Sequence, residues 1–186
     1  MGSMGPQGSA SGGERSERGE GGGASAPAFA VRAHEELFTY WASRRRRRGY
    51  LPARRHIDPA DMKRHLPSIN LIDVLRDAEG RVDYRVRLAG TGLYGVYGQE
   101  ITGKTLDEAY GGAADYWRAE LDKVVAGRKP GAGVHSLSWR GLKHLSVLWL
   151  RLPLASNGRE VDMILGYDGL VGLQSGAEPR TGIRPS

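Results

Sequence analysis

Residues 81–88 alternate strictly between charged and apolar side chains. The apolar residues Val82, Tyr84, Val86 and Leu88 take every second position, and charged residues fill the positions between them. A period of two places the apolar set on one face, which predicts a half-buried strand of an antiparallel sheet. A short apolar run at residues 71–75 precedes it across the turn at residues 77–80, so the pair predicts a β-hairpin.

Helical patterns flank this hairpin on both sides. Residues 34–43 carry apolar side chains one turn apart and predict a helix. Asp58 and Pro59 are typical N-cap and first-turn residues, so we predict a short second helix that Pro67 ends. Residues 113–126 combine an apolar stripe with a charged face and predict the longest helix of the chain.

Three further strands are predicted after that helix, at residues 134–139, 145–154 and 161–167. The middle one is apolar on both faces, which is typical of an interior strand. Five strands, with helices inserted after the second, favour an α+β domain. We predict one five-stranded antiparallel sheet with helices packed on one face, preceded by N-terminal helices.

Composition divides the chain into three parts. The first 25 residues contain 9 Gly and 5 Ser and almost nothing apolar, so we expect residues 1–30 to form a disordered tail. Residues 175–186 are rich in Gly, Pro and charge and are predicted to be a second tail. The segment 31–174 is then left as one domain, long enough to bury a sizeable core.

Several classes of site and location are excluded or disfavoured by composition. The chain has no cysteine, which excludes disulfides, thiolate catalysis and cysteine-based zinc sites. No apolar run approaches the roughly 20 residues of a membrane span, and the N-terminus lacks the apolar segment of a signal peptide. We therefore expect a cytoplasmic protein without a membrane span.

Positive charge is concentrated in one segment. The net charge is +6, and residues 44–55 alone hold seven Arg and no acidic residue. These cations could touch phosphates, although no aromatic interleaving or recognition helix supports sequence reading. We predict at most weak, salt-sensitive binding of nucleic acid or another polyanion, without sequence specificity. The candidate residues are Arg44, Arg45, Arg46, Arg47 and Arg48.

Short motifs follow one another in a fixed order along the chain. They include Leu51-Pro52, His56-Ile57-Asp58-Pro59, Tyr84-Arg85, Arg87-Leu88-Ala89-Gly90-Thr91, Thr102-Gly103-Lys104 and Arg151-Leu152-Pro153-Leu154. Together with the order of elements, this succession resembles a PAS domain over residues 35–173. It most resembles a bacterial PAS subfamily, common in alphaproteobacteria, that was formerly classed as a domain of unknown function.

This resemblance implies a sensory or protein-interaction module. PAS domains hold a small ligand or cofactor between sheet and helices, or mediate association with themselves or a signalling partner. The resemblance carries over no catalytic residue and no cofactor identity. Aromatic and polar residues near the expected space are the candidate ligand-binding residues, although large aromatics at such spacings are more often simply core. They are Tyr94, Tyr97, Trp117, His135 and Trp139.

Other functions are weaker hypotheses. Residues 90–95 match the G-x-G-x-x-G pattern of dinucleotide-binding folds, but no buried parallel strand or long helix accompanies them. The five histidines form no close metal pair, and Asp107 with Glu108 is better explained as a capped turn than as an acid–base pair. The sequence therefore predicts a stand-alone sensory or interaction module that is not an enzyme, with polyanion binding as the alternative function.

Overall fold

Five antiparallel strands form a single sheet in the structure, a computed structural model that describes residues 32–172. The strands are β1 (Ile69–Arg76), β2 (Val82–Ala89), β3 (Gly131–Leu137), β4 (Leu142–Leu154) and β5 (Met163–Gly172). Their order across the sheet is β2-β1-β5-β4-β3, so the last strand of the sequence occupies the centre. The predicted α+β fold with a five-stranded antiparallel sheet is confirmed. The two predicted tails, residues 1–30 and 175–186, lie outside the described residues.

Four α-helices and four short 3-10 segments complete the domain. The helices are α1 (Arg32–Ser43), α2 (Leu93–Tyr97), α3 (Leu106–Tyr110) and α4 (Ala114–Gly127). The 3-10 segments are Arg54–His56, Pro59–Ser68, Gly111–Ala113 and Ser138–Arg140. Helix α3 begins at a capping box, in which Thr105 and Glu108 satisfy each other's backbone N–H groups, as expected for the Asp107–Glu108 turn.

The sheet is covered on both faces. On the inner face, Trp149 of β4 donates a hydrogen bond from Nε1 to the Tyr116 hydroxyl of α4 at 2.9 Å. On the outer face, the Tyr167 ring of β5 contacts the His34 ring of α1 at 5.4 Å between centroids. Tyr167 lies opposite Leu150 in the register, whereas Trp149 lies opposite Asp168, so alternation separates the two faces.

The β1–β2 hairpin has the predicted form. Val86 lies opposite Ile72 and Tyr84 opposite Val74, which places these two of the four predicted apolar positions against the inner face. Leu88 departs from the predicted pattern: it lies beyond a register shift, opposite Leu71, and is 45% exposed. Gly80 has the positive φ of 79° that the turn requires. The Asp77 carboxylate accepts hydrogen bonds from the backbone N–H groups of the turn and fixes its geometry.

The third strand begins three residues earlier than the sequence predicts and ends at Leu137, before Trp139. Its first residues include Gly131 and Gly133, which strand propensity disfavours. A Cβ at Gly133 would lie 2.7 Å from the Trp149 ring, so the glycines are present because a large side chain crosses the strand there. Residues Ser138–Arg140 form a 3-10 turn instead of continuing the strand.

The second helix also differs from its prediction. Residues Pro59–Ser68 form a 3-10 segment with a kink at Met62, and Pro67 lies inside its last turn instead of ending it. The fixed φ of proline is compatible with this turn. Pro67 also packs under the Gly-rich elbow, because the Gly92 N–H donates to the Pro67 carbonyl at 2.9 Å. Gly90 and Gly92 therefore serve a close backbone contact with residues 66–67 in this fold.

Glycine at two positions provides a test of how tightly the inner face is packed. A methyl group at Gly166 of β5 would collide with the Asn70 side chain, whereas one at Gly127 of α4 would meet open space. We expect Gly166→Ala to lower the free energy of unfolding by about 1–3 kcal/mol. Gly127→Ala should leave it unchanged or raise it by up to about 1 kcal/mol. Denaturant titration of both variants measures the difference, and equal stability would show that Asn70 can move aside.

The domain boundaries provide a second test. A fragment of residues 31–174 contains every described element and the whole core found among residues 32–172, so we expect it to fold alone. We expect a single cooperative unfolding transition and circular dichroism typical of mixed α and β structure. Non-cooperative melting of this fragment, with a cooperative full chain as control, would show that a tail contributes to the core.

Candidate functional site

A buried ion pair lies at the centre of the inner face. Arg151 of β4 and Asp168 of β5 are both fully buried, and Arg151 Nη1 lies 2.7 Å from Asp168 Oδ1. Strand alternation brings them together, because Arg151 lies opposite Gly166, two residues before Asp168. Asn70 of β1 donates a hydrogen bond from Nδ2 to Asp168 Oδ2 at 2.5 Å. The absent side chain of Gly166 makes room for the Asn70 amide.

Aromatic side chains from the helices cover this pair. The Arg151 guanidinium lies 4.7 Å from the ring centre of Trp117, which belongs to α4, and 5.8 Å from that of Trp149. Tyr110 links Trp117 to Tyr97 of α2, with centroid distances of 5.3 Å and 5.0 Å. The positive charge thus faces the electron-rich faces of the two indole rings, an attraction that strengthens on removal of water.

Several polar atoms of this cluster have no hydrogen-bond partner within residues 32–172. They are Asn70 Oδ1, the Tyr97 and Tyr110 hydroxyls, Trp117 Nε1, and Arg151 Nε and Nη2. Buried polar groups are nearly always paired in folded proteins, so such a concentration marks a place where a polar guest gains hydrogen bonds. Donors outnumber acceptors, and a guest rich in acceptor oxygens suits the cluster. We call these five residues, with Asp168, the interior polar cluster.

Burial changes the acid–base behaviour of the cluster. Burial, with the nearby charge of Asp168, holds the pKa of Tyr97 well above its usual value. Burial raises the pKa of Tyr110, against the opposing charge of Arg151 and with a smaller contribution from the charge of Asp168. For Arg151, burial is the largest single effect and opposes the charge, but the Asp168 carboxylate together with Tyr97 and Tyr110 outweighs it, so the pKa is raised. Both tyrosines therefore stay neutral and Arg151 stays charged at any physiological pH.

Three of the five predicted ligand-binding residues lie in or beside this cluster. Tyr97 and Trp117 belong to it. His135 of β3 stacks on Tyr116 with centroids 3.8 Å apart, and its ring lies 5.9 Å from that of Trp117. Burial lowers the pKa of His135, which favours the neutral imidazole. His135 is therefore a neighbour of the cluster at the edge of the sheet.

The other two predicted residues lie apart from the cluster. Tyr94 is 62% exposed because the buried face of α2 carries Leu93, Val96 and Tyr97, which leaves position 94 towards solvent. Trp139 is half-buried in the 3-10 turn, where its neighbour Arg140 donates to the Val96 carbonyl. A ligand-binding role for these five residues remains a prediction.

Four residues of the cluster were not among the predicted site residues: Asn70, Tyr110, Arg151 and Asp168. Arg151 stands in the otherwise apolar second part of β4, residues 147–154, at the same alternate positions as Val147 and Trp149. A charged residue at an inward position of an interior strand requires a partner, since burial of an unpaired charge is costly. This need for a partner could have identified Arg151 from the sequence alone. Asp168 on β5 is that partner.

The arginine run lies in a different place, after the end of α1. Arg46 and Arg47 line a surface pocket of about 200 Å³, together with Arg55, His56 and the β4–β5 turn. Arg44 reaches the same pocket but pairs with Asp61 at 2.7 Å. Arg45 and Arg48 do not line it. The polyanion-binding role predicted for residues 44–48 has not been tested.

Two further properties concern the part of the chain that the structure describes. No helix there is long and apolar enough to cross a membrane. No group of three or more His, Asp or Glu side chains within residues 32–172 could together hold a metal ion.

Solved structures with similar folds include several sensory domains. The chain is 15% identical to an RNA-binding light-oxygen-voltage receptor (TM-score 0.41), covering 59% of this chain and 32% of that one. It is 15% identical to a sensory box sensor histidine kinase from Vibrio cholerae (TM-score 0.42), with 61% and 90% covered. It is 16% identical to the light-state LOV domain of the photoreceptor Aureochrome1 (TM-score 0.39), with 62% and 89% covered. The chain thus spans about a third of the first of these proteins.

Sequence comparison identifies the family. No curated protein sequence matches the chain. The sequence profile of the family described as "PAS domain" matches residues 29–168, well over half of the 186 residues and nearly all of the described fold. The alphaproteobacterial subfamily remains a prediction. On this match, supported by the five-stranded sheet with helices packed on it, the chain belongs to the PAS domain family.

Proposed function

We propose that this PAS domain is a sensory and interaction module, not an enzyme, that binds a small molecule with acceptor oxygens in the interior polar cluster. Binding would change how the domain associates with itself or with a signalling partner. The ligand would lie between the inner face of the sheet and helices α2 to α4, the region that the resemblance to PAS domains suggests. The cytoplasmic location expected from the sequence is part of this proposal.

The observation that carries the proposal is the state of Arg151. Its Nη1 binds Asp168, but its Nε and Nη2 donors have no hydrogen-bond partner among residues 32–172, although the side chain is fully buried. Leaving a buried donor unpaired costs about 1–3 kcal/mol, and more for a charged group. A ligand that offers acceptor oxygens to these donors removes that cost when it binds. Ligand binding in the interior would therefore be favourable.

The ligand class follows from the charges and donors present. Arg151 and Asp168 neutralise each other, so a strongly charged guest gains little net attraction. The Trp117 N–H, the Arg151 N–H groups and the two tyrosine hydroxyls all donate, and aromatic rings form the walls. This combination suits a small, mostly apolar molecule with carbonyl or hydroxyl oxygens.

Helix α4 is the element through which occupancy would reach the surface. It contributes Trp117 to the cluster and is tied to β2 by two polar contacts. The Tyr84 hydroxyl donates to Asp122 at 2.5 Å, and Arg118 pairs with Asp83 at 2.8 Å. A guest that displaced Trp117 would therefore act on the position of α4 against β2. This gives the signalling part of the proposal a defined path.

A pair of tyrosine variants tests the ligand proposal. Tyr97→Phe keeps the volume of the side chain and removes one hydroxyl from the cluster, whereas Tyr94→Phe removes an exposed hydroxyl from the same short helix. If the full chain copurifies with a small molecule, Tyr97→Phe should weaken its retention by about 1 kcal/mol, or roughly fivefold in Kd. Tyr94→Phe should have no effect. The unfolding midpoint should barely move in either variant.

Native mass spectrometry of the full chain measures retained ligand and oligomeric state together. A chain that carries no small molecule, or equal loss of ligand in both variants, would contradict the interior site. The interaction part of the proposal would then have to stand on the oligomeric state alone.

A second candidate function is the polyanion binding predicted for residues 44–48. One observation favours it: within the described residues, Arg46, Arg47 and Arg48 have no carboxylate within 4.0 Å. Unneutralised guanidinium groups attract phosphates, with the strong dependence on salt that counterion release produces. Such binding would be weak and independent of nucleic-acid sequence.

A further inference from the structure

We propose that the surface pocket beside the arginine run is a defined site for a single phosphate group, separate from the interior polar cluster. Arg46, Arg47 and Arg55 supply its charge and His56 an imidazole donor, and we call it the basic pocket. The ligand class is inorganic phosphate or the terminal phosphate monoester of a small molecule. This differs from the polyanion hypothesis, which treats residues 44–48 as a diffuse strip of charge.

Backbone pairing gives the basic pocket a fixed floor. The Leu51 N–H donates to the Gly158 carbonyl at 2.9 Å, and the Ala155 N–H donates to the Pro52 carbonyl at 2.9 Å. These bonds fasten the segment after the arginine run to the turn between β4 and β5. A site on such a floor presents its side chains at set positions, whereas a free tail does not.

Among the described residues, no acidic side chain neutralises Arg46, Arg47 or Arg55. Within residues 32–172, no carboxylate lies within 4.0 Å of Arg46, Arg47 or Arg55, and the acidic residues nearest in sequence have other partners. Those pairs are Asp61 with Arg44, Glu160 with Arg76, and Asp162 with the Ser156 N–H. Like charges therefore converge without an internal counterion, which favours an anion from solution.

His56 adds a directed donor. Its Nδ1 accepts a hydrogen bond from the Ala53 N–H at 3.1 Å, so in the neutral ring Nε2 carries the proton. The pKa of His56 is lowered by burial and by the charges of Arg46 and Arg55. A bound anion opposes the effect of those charges, so phosphate binding should raise the pKa of His56.

Size and geometry favour one phosphate over a larger ligand. The pocket encloses about 200 Å³, below the roughly 300–1,000 Å³ typical of pockets for drug-sized molecules. Guanidinium groups match phosphate oxygens with paired N–H donors, and several groups around one anion give short, charge-assisted bonds. A long nucleic acid would instead spread its charge along the whole run.

Two arginines of the same run provide a matched pair of variants. Arg46 lines the pocket and Arg48 does not, yet Arg46→Gln and Arg48→Gln remove the same charge. We expect Arg46→Gln to weaken binding of inorganic phosphate to the full chain by about tenfold, the loss typical of a charged hydrogen bond. Arg48→Gln should weaken it less than twofold. Calorimetric titration at near-physiological salt measures both, with Arg55→Gln as a second pocket variant.

NMR titration of His56 provides an independent readout. At a phosphate concentration that just saturates the native chain, the His56 pKa should rise in the native chain and in Arg48→Gln, and should rise clearly less in Arg46→Gln. A small aryl phosphate and a short DNA duplex distinguish a phosphate monoester from a nucleic acid as the ligand. The monoester should compete with inorganic phosphate, and the duplex should not. Equal losses in Arg46→Gln and Arg48→Gln, or preferential binding of the duplex, would overturn the phosphate site in favour of a diffuse strip. No phosphate-dependent shift of His56 would also overturn it.

Discussion

The buried pair of Arg151 and Asp168 constrains everything around it. Removing two charges from water costs several kcal/mol per ion, and their attraction offsets this only when the remaining polar atoms are also satisfied. Asn70 binds the second carboxylate oxygen, Gly166 leaves space for that amide, and Trp117 covers the guanidinium. One ion pair thus constrains which residues can stand at these positions on three strands and one helix. The unpaired donors of Arg151 are the groups to which the proposed ligand would bind.

Much of the fold follows from short-range patterns. The alternation in β2, the turn at Gly80 and the amphipathic helix α4 depend on neighbours within a few residues, and such patterns are visible in a single sequence. The start of β3 was mispredicted because Gly131 and Gly133 conform to a ring on another strand. Pro67 was mispredicted for a similar reason, since it supports the elbow at Gly92. Contacts between distant segments override local propensity at these places.

The site was less predictable than the fold. Tyr97 and Trp117 stood out because large aromatics in the expected cavity region are visible in the sequence. Arg151 and Asp168 are separated by a turn and become partners only through the β4–β5 register, which the sequence did not determine. Tyr94 was predicted as a ligand-binding residue because α2 is too short for its buried face to be assigned from the sequence. The division of the arginine run into pocket and non-pocket positions likewise depends on the distant β4–β5 turn.

The central position of β5 has a consequence for biosynthesis. This strand is the only link between the β1–β2 pair and the β3–β4 pair within the described sheet, and of the described elements it is the last to leave the ribosome. Before β5 emerges, the β1–β2 and β3–β4 hairpins have apolar inner faces but lack the strand that pairs with both of them. The nascent chain therefore gains its cooperative core only when synthesis of the domain is almost complete, and long-range pairing of this kind slows folding. During that interval, both hairpins would present exposed strand edges to which chaperones could bind.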